Sequence, residues 1–185
     1  MPLLFLTLMF TMITSIIIGM GSPTTANYII TSTIALPAIM ALVDQYEFVI
    51  PVLAAHMFVF FFGIVADITP PVALAAFAAT GISGGEPIRT GFNAARLAIA
   101  AFIIPYMFIL EPQMLMIDVT LTGVIWILIT AITGMIAIGA GLIGFWYRKL
   151  YWFERIIAVI TGLLLVYPEG NSDIIGLIVF VVMVA

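Results

Sequence analysis

The chain has 185 residues, no cysteine and a formal net charge of −4; 65% of its residues are hydrophobic and only 8% are charged. About a quarter of the residues of a soluble domain are charged, so this chain has too few charges to cover a water-facing surface. Its solvent must be lipid, and we predict an all-α integral membrane protein. The missing cysteines exclude disulfides and thiolate metal sites, and the scattered charges offer no basic patch for nucleic acid.

The first predicted element is a helical hairpin over residues 3–43. Its apolar arms, 3–18 and 26–43, would each reach roughly 25 Å at ~1.5 Å per residue, which is barely the hydrocarbon thickness. The polar break at 19–25 separates them and is interpreted either as a buried hairpin tip or as a surface loop. The start lacks a positive region and a cleavage site, so we do not expect a signal peptide.

The second predicted element is a discontinuous helix over 48–81, broken at 67–71. The stretch after Pro71 has only about ten residues before the next polar loop, too few to span a bilayer. Its alanines favour close helix–helix approach in lipid. We therefore expect one helix with an unwound centre.

The remaining elements are a helix over 91–110 and a C-terminal transmembrane extension over 111–185. The extension contains a long apolar span at 119–144 and two shorter apolar pieces. Between them, residues 146–155 mix aromatic rings with three of the five basic residues, which is typical of an interfacial belt at the cytoplasmic side.

The first break has the residues of a cation and substrate site. Gly19 and Gly21 allow backbone conformations closed to other residues, which frees carbonyl oxygens. Ser22, Thr24 and Thr25 add hydroxyls. Hard cations such as sodium take oxygen ligands, and transporters supply them from unwound helix ends.

The second break repeats this chemistry. Pro70 and Pro71 remove two successive backbone donors, Thr69 adds a hydroxyl, and Asp67 adds a formal charge at membrane depth. The helices that restart after the two breaks point their positive ends at the same region, which suits an anionic substrate.

Structural interpretations stand beside these functional ones. Asp67 is interpreted either as a cation ligand or as a cap of the following half-helix. His56 is a proton relay or, the interpretation we favour, a donor to a neighbouring carbonyl. Arg96 is the nearest arginine that could reach a substrate carboxylate, or it simply extends to the membrane surface.

Four motifs together resemble a known family. They are GMGSPTTANY at 19–28, PVLAAHMFVFFFG at 51–63, ITPPVALA at 68–75, and RTGF at 89–92 followed by Arg96. They look like the large membrane subunit of tripartite ATP-independent periplasmic (TRAP) transporters, with the fused permease of the TAXI branch as the nearest pattern. The resemblance is dense over 1–110, the predicted transport and substrate-binding region, and loose beyond it.

The resemblance implies an elevator-type carrier built from two inverted repeats, each with a hairpin and a broken helix. A periplasmic solute-binding protein would deliver a small organic acid, and symport with sodium, or alternatively a proton, would drive import across the inner membrane. No cofactor is implied. At 185 residues, we expect the chain to be the C-terminal part alone, a multi-pass fragment or split subunit without transport of its own. The N-terminal repeat and the small membrane subunit or its fused equivalent would be missing.

The resemblance also implies roles for individual residues. Those expected to face substrate lie in the first break: Gly19, Gly21, Ser22, Thr24 and Thr25. Those expected to hold sodium come from both breaks: Gly21, Thr24, Asp67, Thr69 and Pro70.

Two other function classes stay open. One is a different secondary carrier, such as a sodium/proton antiporter with Asp67 and His56 as proton-binding groups. The other is a non-transporting membrane scaffold whose breaks are surface loops. An enzyme is not expected, because the sequence contains no nucleophile–base pair, metal cluster or phosphate loop.

Overall fold

The structure, a computed structural model, describes residues 2–46, 49–117, 119–166 and 170–184. Within these residues it contains helices and connecting turns but no β-strand. The α-helices, in chain order, are α1 (Pro2–Gly19), α2 (Thr24–Tyr46), α3 (Val52–Val65), α4 (Leu74–Ser83), α5 (Pro87–Leu97), α6 (Ile99–Leu110), α7 (Leu121–Ile143), α8 (Trp152–Val166) and α9 (Gly170–Val184). Short 3₁₀ helices follow α3 at Ala66–Ile68 and α6 at Pro112–Leu115.

Helices long and apolar enough to cross a membrane occur at Thr24–Gln45 and Leu121–Ile143 among the described residues. The pair α5 and α6 would add a third span if it counts as one, although its two parts are bent by 40°. The predicted all-α membrane class is therefore confirmed.

The chain divides into two compact units, Met1–Pro112 and Gln113–Ala185. In the first unit, α3 is central and packs against α1, α2 and α6. Its rings Phe58 and Phe62 are fully buried, and the ring of Tyr106 meets them edge-on with centroid distances of 5.1 and 5.7 Å. Lipid is as apolar as these side chains, so this core is stabilised by close packing rather than by exclusion of water.

In the second unit, α7 packs closely along α8 through glycines. A Cβ atom on Gly134 would lie 2.8 Å from the carbonyl oxygen of Gly162, and one on Gly141 would lie 2.8 Å from that of Arg155. Only glycine lets the backbones of α7 and α8 come this close, as in other small-residue membrane interfaces. The interfacial belt predicted at 146–155 forms the turn after α7 and the first turn of α8.

Several predicted boundaries differ from the structure. Phe48, the predicted start of the broken helix, lies outside the described residues, and α3 begins at Val52. The single helix predicted over 91–110 is wrong: a helix begins earlier, at Pro87, and the chain leaves helical geometry at Ala98. The two helices suit different surroundings, because α5 carries charged side chains while α6 is apolar on all sides.

Candidate functional site

The two predicted breaks meet at Gly19, the last residue of α1. Gly19 is buried, and α1 packs against the 3₁₀ turn Ala66–Ile68. A Cβ atom on Gly19 would lie 2.7 Å from the Cβ atom of Ala66 and 3.0 Å from the carbonyl oxygen of Gly63. The base of the hairpin tip is therefore in direct contact with the helix end that precedes the second break.

Asn27 joins these elements from α2. Its side-chain Nδ2 donates a hydrogen bond to the carbonyl oxygen of Gly63 over 2.7 Å, and its side chain is fully buried. Its Oδ1 accepts no hydrogen bond within the described chain and is shielded from solvent. Asn27 belongs to the motif at 19–28, and the sequence alone predicted no role for it. The available signal was a lone amide side chain in an apolar helix, four residues after Pro23, because a buried amide needs a partner.

The tip of the hairpin is more open than its base. Ser22 closes the turn by donating its backbone N–H to the carbonyl oxygen of Gly19 over 3.2 Å, and Gly21 has a φ of +82°, which favours glycine. Thr24 and Thr25 are exposed and Ser22 is half-buried. In the part of the chain that the structure describes, no hydrogen bond joins the hydroxyls of these three residues to the second break.

The second break unwinds over a few residues after α3. The chain is extended at Thr69, the Pro70–Pro71 peptide bond is cis, and α4 begins at Leu74. The prolines cannot donate to the carbonyl oxygens one turn back. The carbonyl oxygen of Ala66 accepts from the N–H of Thr69 over 3.2 Å instead, while that of Asp67 has no backbone donor among the described residues.

Thr69 and Asp67 offer oxygen atoms at this break. The hydroxyl of Thr69 donates to the carbonyl oxygen of Val65 over 2.7 Å, which leaves its lone pairs available. The Asp67 carboxylate is half-buried and has no hydrogen-bond or ion-pair partner within the described chain. The capping interpretation of Asp67 is wrong, because α4 follows Ala73 and its first turn has no side-chain cap.

His56 lies away from the second break. Its Nδ1 is 2.9 Å from the hydroxyl of Tyr28 on α2, so its partner is a tyrosine rather than the carbonyl that we favoured. Eleven helical residues separate His56 from Asp67, which corresponds to about 16 Å along an α-helix. These two groups therefore do not form one proton-binding pair.

Helix α5 covers the far side of the second break. A Cβ atom on its Gly91 would lie 3.3 Å from both the Cγ atom of Pro70 and the Cβ atom of Ala73. Ala73 is buried with a φ of +39°, a left-handed conformation that costs an ordinary residue roughly 1–2 kcal/mol. Beside this contact is a cavity of about 450 Å³, lined by Thr69, Pro70, Pro71, Phe77, Ile88, Phe92 and Ala95.

The structure thus brings only some of the predicted site residues close to one another. Gly19 contacts the helix end next to Asp67, and Thr69 and Pro70 border the cavity under α5. Arg96 is exposed and does not line that cavity. Among the described residues, no group of three His, Asp or Glu side chains could hold a metal ion, so oxygen ligands there would come largely from backbone and hydroxyl groups.

An all-helical membrane chain with a hairpin packed against a broken helix is typical of secondary transporters. Its residues 2–123 match the family described as "Tripartite ATP-independent periplasmic transporter, DctM component". The chain belongs to this family, the large membrane component of TRAP transporters, and it is a transporter component rather than an enzyme. No curated protein and no solved structure matches it.

Proposed function

We propose that the chain is the permease component of a cation-coupled secondary transporter that imports small organic acids delivered by a periplasmic solute-binding protein. It acts in the inner membrane as a multi-pass symporter component. The observation that carries the proposal is the contact of Gly19 with Gly63 and Ala66, because it packs the base of the hairpin tip against the helix end that leads into the second break.

The coupling ion in this proposal is sodium, with a proton as the alternative. Its ligands come from Gly21 and Thr24 in the tip and from Asp67, Thr69 and Pro70 in the second break. The support is chemical: the Asp67 carboxylate and carbonyl and the Thr69 hydroxyl are oxygens with free lone pairs.

The substrate in this proposal is bound by the tip, through Gly19, Gly21, Ser22, Thr24 and Thr25. The hydroxyls of the last three have no hydrogen-bond partner in the described chain. The start of α2 at Thr24 adds backbone N–H groups that favour a carboxylate. Because Thr24 and Thr25 are exposed and Ser22 is half-buried, these hydroxyls are accessible to a ligand.

The assembly in this proposal is of the TAXI type, and the chain supplies the second of two inverted repeats. A first repeat and a small membrane subunit, or its fused equivalent, complete the carrier. The support is the motif resemblance, which assigns one hairpin and one broken helix of the described chain to a single repeat.

The test is sodium protection of single cysteines placed beside, but not within, the proposed ligand set. The sequence contains no cysteine, so Met20→Cys and Val72→Cys each introduce a single thiol. In membranes that hold the assembled transporter, sodium chloride should slow maleimide labelling of both thiols relative to choline chloride. Ser83→Cys, at the exposed end of α4, is the control and should label equally in both salts. Equal labelling rates of Met20→Cys and Val72→Cys in the two salts would refute sodium as the coupling ion and favour the proton.

The antiporter and scaffold alternatives have less support. An antiporter with Asp67 and His56 as proton-binding groups would need two separate proton sites, because about 16 Å of helix lies between these residues. The buried base of the tip does not fit a surface loop.

A further inference from the structure

Helix α5 is amphipathic in a way that the neighbouring apolar helix α6 is not. At ~100° per residue, Arg89, Asn93 and Arg96 lie within a roughly 60° arc of its surface, and all are exposed. Another side of the helix faces the second break through Gly91. α5 thus has a polar strip beside a packed one.

The apolar side of α5 is only partly covered. Ile88 and Phe92 line the cavity beside Pro70, yet each keeps 58% of its surface exposed. In a membrane protein this remaining surface is solvated by acyl chains. The arginines lie next to these side chains around the same helix, an arrangement that suits the depth at which the hydrocarbon ends.

The positive charge of α5 is not balanced nearby. Arg89 and Arg96 have no ion-pair or hydrogen-bond partner for their guanidinium groups within the described chain. The nearest acid, Glu86, directs its carboxylate to the first turn of the helix, accepting from the N–H of Ile88 at 3.2 Å and that of Arg89 at 2.9 Å. The two guanidinium groups are therefore free to bind an external anion.

The bend between α5 and α6 also fits a position of α5 at the edge of the hydrocarbon. The axis of α5 departs from that of the apolar helix α6 by 40° at Ala98. A short helix with arginine on one face and isoleucine and phenylalanine on another is typical of a helix that lies in the headgroup region. We infer that α5 is an interfacial helix whose Arg89–Arg96 face binds the phosphates of anionic phospholipids.

This inference goes beyond the proposed function and needs only insertion into a membrane. A guanidinium group can donate two parallel hydrogen bonds to the oxygens of one phosphate, which an ammonium group cannot do. Because Gly91 of the same helix contacts Pro70 and Ala73, the lipid headgroups would hold α5 against the second break. An acidic protein surface could also pair with arginines, but it would leave Ile88 and Phe92 without an apolar environment.

The first experiment measures lipid preference directly. The full chain is reconstituted in phosphatidylcholine bilayers with trace spin-labelled phosphatidylglycerol or phosphatidylcholine, and the immobilised lipid fraction is compared. We expect a preference for phosphatidylglycerol that falls roughly two- to fivefold in the double variant Arg89→Gln/Arg96→Gln. The control, Thr122→Gln, changes an exposed neutral side chain in the first turn of α7 and should keep the preference. An unchanged preference in the double variant, or an equal loss in the control, would overturn the inference.

The second experiment locates α5 without changing its charge. Ile88→Cys and Asn93→Cys are labelled with an environment-sensitive fluorophore in the otherwise cysteine-free chain. We expect quenching by brominated acyl chains at position 88 and by aqueous iodide at position 93. Equal iodide quenching at both positions would show that α5 is not interfacial. Cross-linking of position 93 to another protein, without lipid preference, would assign the arginines to an acidic protein partner and also refute the inference.

Discussion

The side-chain amide of Asn27 donates to the backbone carbonyl oxygen of Gly63 over 2.7 Å, and this bond ties α2 to the end of α3 just before the second break. The two glycines beside it are required by the same packing. A Cβ atom on Gly63 would lie 3.0 Å from Nδ2 of Asn27, and one on Gly19 would also collide with that amide. No water is available in lipid to replace a lost partner, so each group here depends on the others.

We predict that Asn27→Ala lowers the free energy of unfolding by about 1–3 kcal/mol, because it removes the donor to a buried carbonyl. Asn27→Asp should be worse, since a carboxylate oxygen would face the carbonyl oxygen of Gly63. The measurement is thermal unfolding of the purified chain in detergent, with Asn93→Ala on the exposed face of α5 as the control. A melting temperature for Asn27→Asp equal to that of the parent chain would contradict this account.

A second prediction concerns the contact between the two breaks. Gly19→Ala should disturb it, because the new methyl group would lie 2.7 Å from the Cβ atom of Ala66. Overpacking of this kind typically costs about 1–3 kcal/mol. Gly81→Ala is the matched control, since a Cβ atom there in α4 meets nothing within 4 Å.

The readout is the labelling rate of Val72→Cys in the two backgrounds. Gly19→Ala should increase it by loosening the second break, and Gly81→Ala should leave it unchanged. If the two glycine variants label alike, the breaks are not mechanically joined.

The sequence predicted the helical class and the positions of both breaks, because glycines and prolines act locally on the backbone. It did not predict the role of Asn27, since a hydrogen bond across 36 residues depends on how α2 and α3 pack. It also missed the division between α5 and α6: the hydropathy of 91–110 resembles one span, and the bend at Ala98 follows no proline or glycine. The proposed ligand roles of Thr24 and Thr69 remain predictions.

A third prediction concerns the second unit, where the indole Nε1 of Trp126 donates to Oδ2 of Asp173 over 2.8 Å. Asp173 lies in the first turn of α9 with only 4% of its surface exposed. Asp173→Ala removes the acceptor of the indole N–H of Trp126, whose side chain is 43% exposed, and should cost about 0.5–1.5 kcal/mol. Asp173→Asn keeps an acceptor and removes a buried charge, so it should cost less.

Tryptophan fluorescence distinguishes these outcomes. In a background where Trp146→Phe and Trp152→Phe leave Trp126 as the only emitter, Asp173→Ala should shift the emission to the blue and Asp173→Asn should not. If both variants shift it equally, the charge of Asp173 rather than its hydrogen bond determines the environment of Trp126.

The last prediction concerns the end of α7, which Arg155 caps from α8. Its Nε donates to the carbonyl oxygen of Gly141 over 2.9 Å and its Nη2 to that of Leu142 over 2.8 Å. These carbonyls belong to the last turn and have no intrahelical donor, and the chain reverses just after them at Gly144, whose φ is +79°.

Arg155→Lys replaces the planar guanidinium group, which donates both hydrogen bonds, with a single ammonium group. It should lower the free energy of unfolding by about 1 kcal/mol, whereas Arg155→Ala should lower it by about 2–3 kcal/mol. Arg148→Ala is the control: its ion pair with Glu154 is exposed, and such pairs contribute about 0–1 kcal/mol. Hydrogen–deuterium exchange of the last turn of α7 should therefore accelerate in the order Arg148→Ala, Arg155→Lys, Arg155→Ala. Exchange in Arg155→Ala no faster than in Arg148→Ala would mean that the turn is held by the packing of α7 on α8 and not by the guanidinium.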